Sequence, residues 1–223
     1  LNIHPNCLHV LLPWTAAGRT DEEIQKIKDF SNPRKNPFSR DPRSESQIAA
    51  YRKKERARAQ WLADYRQWER YRVTLGDRVE TFLHQKREDG ERYRLWRLDY
   101  RRRAELLEHP ERALPGADKA SAADAKFTGY FFNPESRDGY PKGDAFSSRL
   151  GYNKDNWEKM REEILDAATR YPSVLKREDV HGRRYEQLVV LYGRKGSPAN
   201  VLLAWNVRPD GTTHFVTAHM EKV

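Results

Sequence analysis

The last third of this chain carries lysine, arginine, threonine and histidine in an arrangement that suits cleavage of RNA without a metal. Lys142 lies in Gly139-Tyr-Pro-Lys142-Gly-Asp-Ala-Phe146, and Arg208 in Ala204-Trp205-Asn-Val-Arg208-Pro-Asp-Gly211. His214, Thr217 and His219 share the run Thr212-Thr-His214-Phe-Val-Thr217-Ala-His219, and His181 precedes Gly182-Arg183-Arg184. Such a reaction needs a base for the 2′-hydroxyl proton and an acid for the leaving 5′-oxygen. It also needs cations or hydroxyls to hold the charged phosphorane. Histidine titrates near neutrality and suits the first two roles. Lys142, Arg208 and Thr217 suit the third. Strict alternation along the final strand puts Thr213, Phe215, Thr217 and His219 on one face, and Thr212, His214 and Val216 on the other. His214 and His219 then reach one cleft only if a bulge intervenes.

Each of these residues also has a plainer use. A lone histidine is more often a packing or surface residue, a strand threonine is a β-former, and a loop lysine is usually solvated. Convergence within one small module favours chemistry. Trp157 and Trp205 read as core. Glu162 and Glu163 lie on a helix face and read as solvated. No Walker loop, dinucleotide fingerprint, HExxH or GxSxG occurs, and no cofactor or metal is expected.

The elements that must position these residues make the chain α+β. Its expected architecture is an N-terminal extended segment and long helices, then a small C-terminal domain of helices packed on an antiparallel sheet. Residues 1–43 are punctuated by Pro5, Pro13, Pro33, Pro37 and Pro42. One short helix interrupts them, with Thr20 as N-cap and Glu23 closing a capping box. The run from Asn32 to Arg43 has no core pattern and should lie extended, anchored by Phe38. Residues 44–108 form a helical arm. Ser44, followed by Gln47, opens its first helix, and Leu75-Gly76-Asp77 ends it. Helices from Val79 to Gln85 and from Glu91 to Leu107 follow, separated by Asp89-Gly90. Their aromatic stripes, Trp61, Tyr65 and Trp68, then Tyr93, Trp96 and Tyr100, point to packing. Stacking of bases with arginines on phosphates is the alternative.

Residues 109–124 are rich in Pro, Ala, Gly and Asp and read as a linker. In residues 125–223, the Phe127–Phe132 run is a strand or a packed turn. A helix from Lys142 to Leu150 follows, then one capped by Asn153 or Asp155 that runs through Trp157, Met160, Ile164 and Ala168. Three strands come last: Arg184 to Tyr192, Ala199 to Val207 and Thr212 to His219.

Bulk properties set limits. A formal charge of +9 favours acidic partners such as nucleic acid, and equally suits a basic helical arm packed on neighbouring proteins. Hydrophobic residues at 37% are few for one large core. No apolar run approaches the roughly 18–20 residues of a membrane span, so no membrane partner is expected. The single cysteine, Cys7, leaves no internal disulfide framework and fits a reducing compartment or a sheltered particle interior. His4, Cys7 and His9 lie too close together to wrap one zinc, and no second ligand pair follows. A structural turn is expected there, with a zinc site shared with upstream residues as the alternative. A start at Leu1 is what a fragment or processed product would show.

Residues 1–106 resemble the C-terminal region of phage minor head proteins, the Mu-type and minor capsid protein 2 families. The resemblance rests on His4-Pro5-Asn6-Cys7-Leu8-His9, Pro13-Trp14, Asn36-Pro37-Phe38, Asp41-Pro42-Arg43-Ser44-Glu45-Ser46-Gln47 and the Tyr-rich helix to Leu75-Gly76. Leu8 stands where the family usually has arginine. Residues 125–223 resemble a domain at the C-termini of bacterial polymorphic toxins and some phage head proteins, similar to barnase–EndoU–colicin–RelE-like ribonucleases. The motifs carrying that likeness are Lys126-Phe-Thr-Gly-Tyr-Phe-Phe-Asn-Pro134, Leu150-Gly-Tyr-Asn-Lys-Asp-Asn-Trp157 and the Lys142, Arg208 and Thr217 runs. It singles out the position of Thr217, and so favours the Thr217/His219 face.

Together the resemblances imply a portal-proximal head protein bearing a metal-independent ribonuclease or toxin domain. They place it in the virion, at the capsid interior or near the portal, and in the host cytoplasm during assembly or after delivery. Implied partners are portal or other capsid proteins, RNA or packaged DNA, and an immunity protein. The alternative is a purely structural head-completion protein without catalysis.

Overall fold

The structure, a computed structural model, describes residues 15–35, 43–79, 81–88, 90–194 and 198–223. The run from His4 to His9, Pro13-Trp14, Asn36-Pro37-Phe38, Asp41-Pro42 and Asp89 lie outside the described residues. The fold is α+β, and its contacts divide the chain into two units, Leu1–Arg58 and Ala59–Val223.

In the first unit, α1 (Asp21–Ser31) begins with the expected capping box. The Thr20 hydroxyl accepts from the Glu23 amide (3.3 Å), and the Glu23 carboxylate accepts from the Thr20 amide (3.0 Å). Two amides that a helix start leaves open are thereby satisfied. Ser44 and Gln47 repeat the device at the head of α2 (Glu45–Leu75), at 3.3 and 2.9 Å. No residue of α1 is buried, and residues 51–60 of α2 are all exposed.

The second unit starts within α2 and continues through α3 (Phe82–Arg87), α4 (Glu91–Glu108), α5 (Tyr140–Leu150) and α6 (Trp157–Ala168). Its sheet is an antiparallel meander in the order β1 (Val174–Asp179), β2 (Gly182–Leu191), β3 (Ala199–Val207), β4 (Thr213–Met220). Three strands were expected; β1 is the addition. Its residues Val174 to Glu178 are all exposed, so no alternation of apolar and polar residues marks it.

Alternation does govern β2, whose side chains feed two cores. Val189 and Leu191 join Phe127, Phe131, Phe146, Met160, Ile164 and Trp205 on the face covered by α5 and α6. Val190 and the following Tyr192 join Tyr71, Leu75, Phe82, Leu95 and Trp96 of the helical arm on the opposite face. The aromatic stripe Tyr93–Trp96 is therefore packed core. A single-faced sheet would leave Val190 and Tyr192 in water. Here α4 covers them.

One open choice is resolved and two local expectations need correction. Of the strand or packed turn expected at Phe127–Phe132, the turn forms: Lys126–Phe131 is a wide π-helical turn, closed by a bond from the Phe132 amide to the Phe127 carbonyl (2.9 Å). Neither Asn153 nor Asp155 caps α6, which starts after Asn156, whose side-chain oxygen accepts from the Asn153 amide (2.9 Å). Residues 109–124 lie on the sheet edge rather than running free. Leu114 is buried, and the Thr213 hydroxyl donates to the Pro115 carbonyl (2.5 Å). Ser121 is bonded to the Thr213 carbonyl and the Phe215 amide (2.9 and 2.8 Å). The small residues of this stretch let its backbone approach β4 and cover part of an otherwise open edge.

Candidate active site

Close backbone contact places Lys142. A Cβ on Gly139 would overlap the Tyr130 carbonyl, and one on Gly143 would overlap the Phe131 carbonyl. Only glycine at both positions lets the first turn of α5 sit on the π-helical turn. Inside that turn Phe127 and Phe131 point into the core, where Phe127 stacks on Phe215 with centroids 6.0 Å apart. Tyr130 is left half-buried beside Lys142.

The Lys142 ammonium donates to the Tyr130 hydroxyl (3.1 Å) and reaches the Thr217 hydroxyl at 3.4 Å. It also lies 5.6 Å from the Tyr130 ring centroid, and Lys126 approaches the same ring at 5.8 Å. The Tyr130 hydroxyl donates onward to the Asp138 carbonyl (3.4 Å). Among the described residues no carboxylate pairs with Lys142. A half-buried cation flanked by two hydroxyls is a ready site for an anionic oxygen, because its charge is neither cancelled locally nor fully screened by water.

Thr217 reaches this position through a bulge. Ala204 pairs with Thr217 and Trp205 with Phe215, so Val216 is an extra residue in β4. The bulge also overturns the alternation expected across this strand. Thr213, Phe215 and Ala218 face the core, while His214 registers with Asn206 and His219 with Leu202. The two histidines thus share the face turned away from Trp205, though on either side of the bulge.

Their surroundings differ. Both ring nitrogens of His214 are occupied, by the Ser121 and Thr212 hydroxyls at 2.9 Å each. This ties the residue to the 109–124 segment. His219 lies two residues beyond Thr217 and meets Glu221 through Nε2 at 2.9 Å. Arg208 and His181 are exposed at the hairpin end of the sheet, where the Asn206 amide donates to the His181 carbonyl (3.3 Å). Arg208 stands four residues past Ala204, the partner of Thr217, or about 13 Å along the strand. The structure therefore brings together Lys142 and Thr217, with His219 and His214 each two β3 positions away, His214 with both ring nitrogens occupied, and sets Arg208 and His181 apart. Tyr130 is the member that sequence reasoning missed, because its aromatic run reads as packing, in a strand or a turn.

Two buried polar clusters were also missed. Asp99 on α4 has no exposed surface, yet it accepts from Arg103 Nε (2.6 Å), the Tyr171 hydroxyl (2.6 Å) and the Tyr192 hydroxyl (2.5 Å). Burial, then the Asp99 charge, pushes both tyrosine hydroxyls well above their ordinary range. Burial opposes the Arg103 charge, but Tyr171 and Asp99 hold the guanidinium above its usual value. Glu163 is not solvated. It accepts from the Tyr152 hydroxyl and from the amides of Tyr192 (2.7 Å) and Gly193 (3.2 Å), fixing the end of β2. Its neighbour Glu162 makes only an exposed pair with Lys159. Among the described residues no group of three His, Cys, Asp or Glu is placed to hold a metal ion. Among them, too, no helix is long and apolar enough to cross a membrane.

The model of a family described as a domain of unknown function, DUF6883, matches residues 113–222. That span begins one residue before the buried Leu114 rather than at residue 125. Among solved structures the chain is similar to a contact-dependent growth inhibition toxin–immunity protein complex from Klebsiella pneumoniae 342. The identity is 20% and the TM-score 0.38, with 45% of this chain and 98% of that chain covered. No curated protein matches the chain.

Proposed function

We propose that the C-terminal α+β module binds the phosphodiester backbone of RNA at Lys142 and cleaves it without a metal. The observation carrying this reading is the Lys142 ammonium, held between the Tyr130 and Thr217 hydroxyls with no carboxylate among the described residues paired to it. In the reaction the 2′-oxygen bonds to phosphorus while the P–O5′ bond breaks. His219, oriented by Glu221, takes the 2′ proton. The Tyr130 hydroxyl gives its proton to the 5′-oxygen, and Lys142 stabilises the phenolate left behind. Lys142 and Thr217 hold the non-bridging oxygens as negative charge builds. The products are a 2′,3′-cyclic phosphate and a 5′-hydroxyl.

The wider reading is a portal-proximal phage head protein carrying this module as a toxin-like effector, countered by an immunity partner. It rests on the sequence resemblance of residues 1–106 and 125–223.

The test is incubation of the full 223-residue chain with total RNA in EDTA, alongside Lys142→Met, Tyr130→Phe, Thr217→Val and His219→Gln. Cleavage with cyclic-phosphate ends is expected from the parent, with losses on the order of 100-fold or more for Lys142→Met. An inactive parent overturns the reading. Full activity in Lys142→Met overturns the site.

A further inference from the structure

Helix α4 divides its arginines between two tasks. Arg102 and Arg103 point into the fold, onto the Asn200 side chain (2.8 Å) and onto Asp99. Arg94, Arg97 and Arg101 are exposed and fall at i, i+3 and i+7, one face of the helix. They span about 10 Å of its axis. Among the described residues none of the three forms an ion pair. The carboxylates of α4 leave them uncancelled: Glu91 is paired with Arg149 (2.8 Å), Asp99 with Arg103, and Glu105 with Arg112. Glu108 lies about two turns beyond Arg101.

The three arginines edge a shallow groove of about 370 Å³, beside Tyr71, Leu98, Tyr100 and Val223. Tyr71 and Tyr100 stack with centroids 4.4 Å apart and planes 13° from parallel, and Tyr100 keeps part of its surface open. A row of guanidinium groups next to a flat aromatic pair suits a chain of phosphates with bases attached. A lone acidic side chain would use one arginine and leave the others unpaired.

We infer that the Arg94–Arg97–Arg101 row is a binding track for the backbone of single-stranded RNA, separate from the Lys142 site. The choice of RNA among polyanions rests on the proposed function; the track itself rests on the unpaired charge and the groove.

The test uses the full chain and a fluorescein-labelled 2′-O-methyl uridine 20-mer, which has no 2′-hydroxyl nucleophile and so reports binding alone. Fluorescence anisotropy across a potassium chloride series is compared for the parent and for Arg94→Gln/Arg97→Gln/Arg101→Gln, with thermal melts confirming an unchanged fold. The triple variant should lose at least about tenfold in affinity, and its log–log salt slope should fall by about 2, three contacts at roughly 0.7 each. The exposed variant Arg170→Gln, whose parent residue pairs with Asp166, should bind as the parent does. Three results overturn the track: no binding by the parent, equal affinity and slope in the folded triple variant, or binding of polyglutamate as tight as that of the 20-mer. Cleavage of unmodified RNA is read separately. Binding with no cleavage sinks the proposed reaction and leaves the track, and cleavage with an unchanged triple variant does the reverse.

Discussion

The Tyr192 hydroxyl donates to Asp99 across 2.5 Å and so ties the residue following β2 to the middle of α4. With Tyr171 and Arg103 it satisfies a carboxylate that has no contact with water. Removing the carboxylate strands the Arg103 guanidinium and the Tyr192 hydroxyl, while the Tyr171 hydroxyl keeps the Val190 carbonyl (3.2 Å). Asp99→Ala should therefore cost about 3–5 kcal/mol. Tyr192→Phe, which removes one donor, should cost about 1–2 kcal/mol. Urea denaturation of the full chain measures both. A loss under about 1 kcal/mol for Asp99→Ala would show that the cluster adds little to the fold.

The same tyrosines set the response to alkali. Burial is the largest cause raising Tyr152, Tyr171 and Tyr192, followed by the charge of Glu163 for the first and of Asp99 for the other two. In the unfolded chain these groups ionise near 10.0, whereas in the fold they stay protonated. Above that pH the unfolded chain binds fewer protons than the native one, so stability falls as pH rises. Melting temperature should hold up to about pH 10 and drop beyond it. The drop should be shallower in Tyr192→Phe. A melting temperature that rises above pH 10 would contradict the assignment.

Gly143→Ala tests how α5 places Lys142. The added methyl group meets the Phe131 carbonyl, a backbone atom that cannot swing aside. The helix must lift from the π-helical turn, which separates Lys142 from Tyr130. A loss of about 1–3 kcal/mol is expected from the overpacking, together with loss of RNA cleavage. Ala145→Gly, also on α5, should lower stability by about 1 kcal/mol through helix propensity and leave cleavage intact. Thermal melts and the cleavage assay separate the two.

Parts of this architecture are plain in the sequence because they are local. Thr20 with Glu23 and Ser44 with Gln47 mark helix starts by spacing alone, and Trp205 with its alternate neighbours marks β3. Lys142 and Thr217 could be singled out by residue type. What escaped depends on partners far along the chain. Asp99 is one acidic residue in an arginine-rich helix, and nothing nearby announces Tyr171 or Tyr192. The bulge at Val216 escapes because Thr213, Phe215, Thr217 and His219 alternate without interruption. It exists because Phe215 and Ala218 both fill the core, and three residues of strict alternation cannot deliver that. The 109–124 segment has a linker's composition, and only its contact with β4 gives Leu114 a place to bury.

That contact leads to a prediction about where the chain can be cut. A fragment of residues 119–223 keeps every strand but loses Leu114, the Pro115 carbonyl that receives Thr213, and all of α4. Tyr171 and Tyr192 then lack Asp99, and Val190 and Tyr192 lose the Trp96 core that covers them. Exposing Val190 and Tyr192 and losing the burial of Leu114 forfeits about 1.5–3 kcal/mol apiece. The sum approaches the whole stability of a small domain. The 119–223 fragment should melt at a much lower temperature than residues 59–223, or bind a hydrophobic dye before heating. Residues 59–223, which retain both cores, should melt within a few degrees of the full chain. Equal melting of the two fragments would mean that α4 and the 109–124 segment rest on the sheet without supporting it.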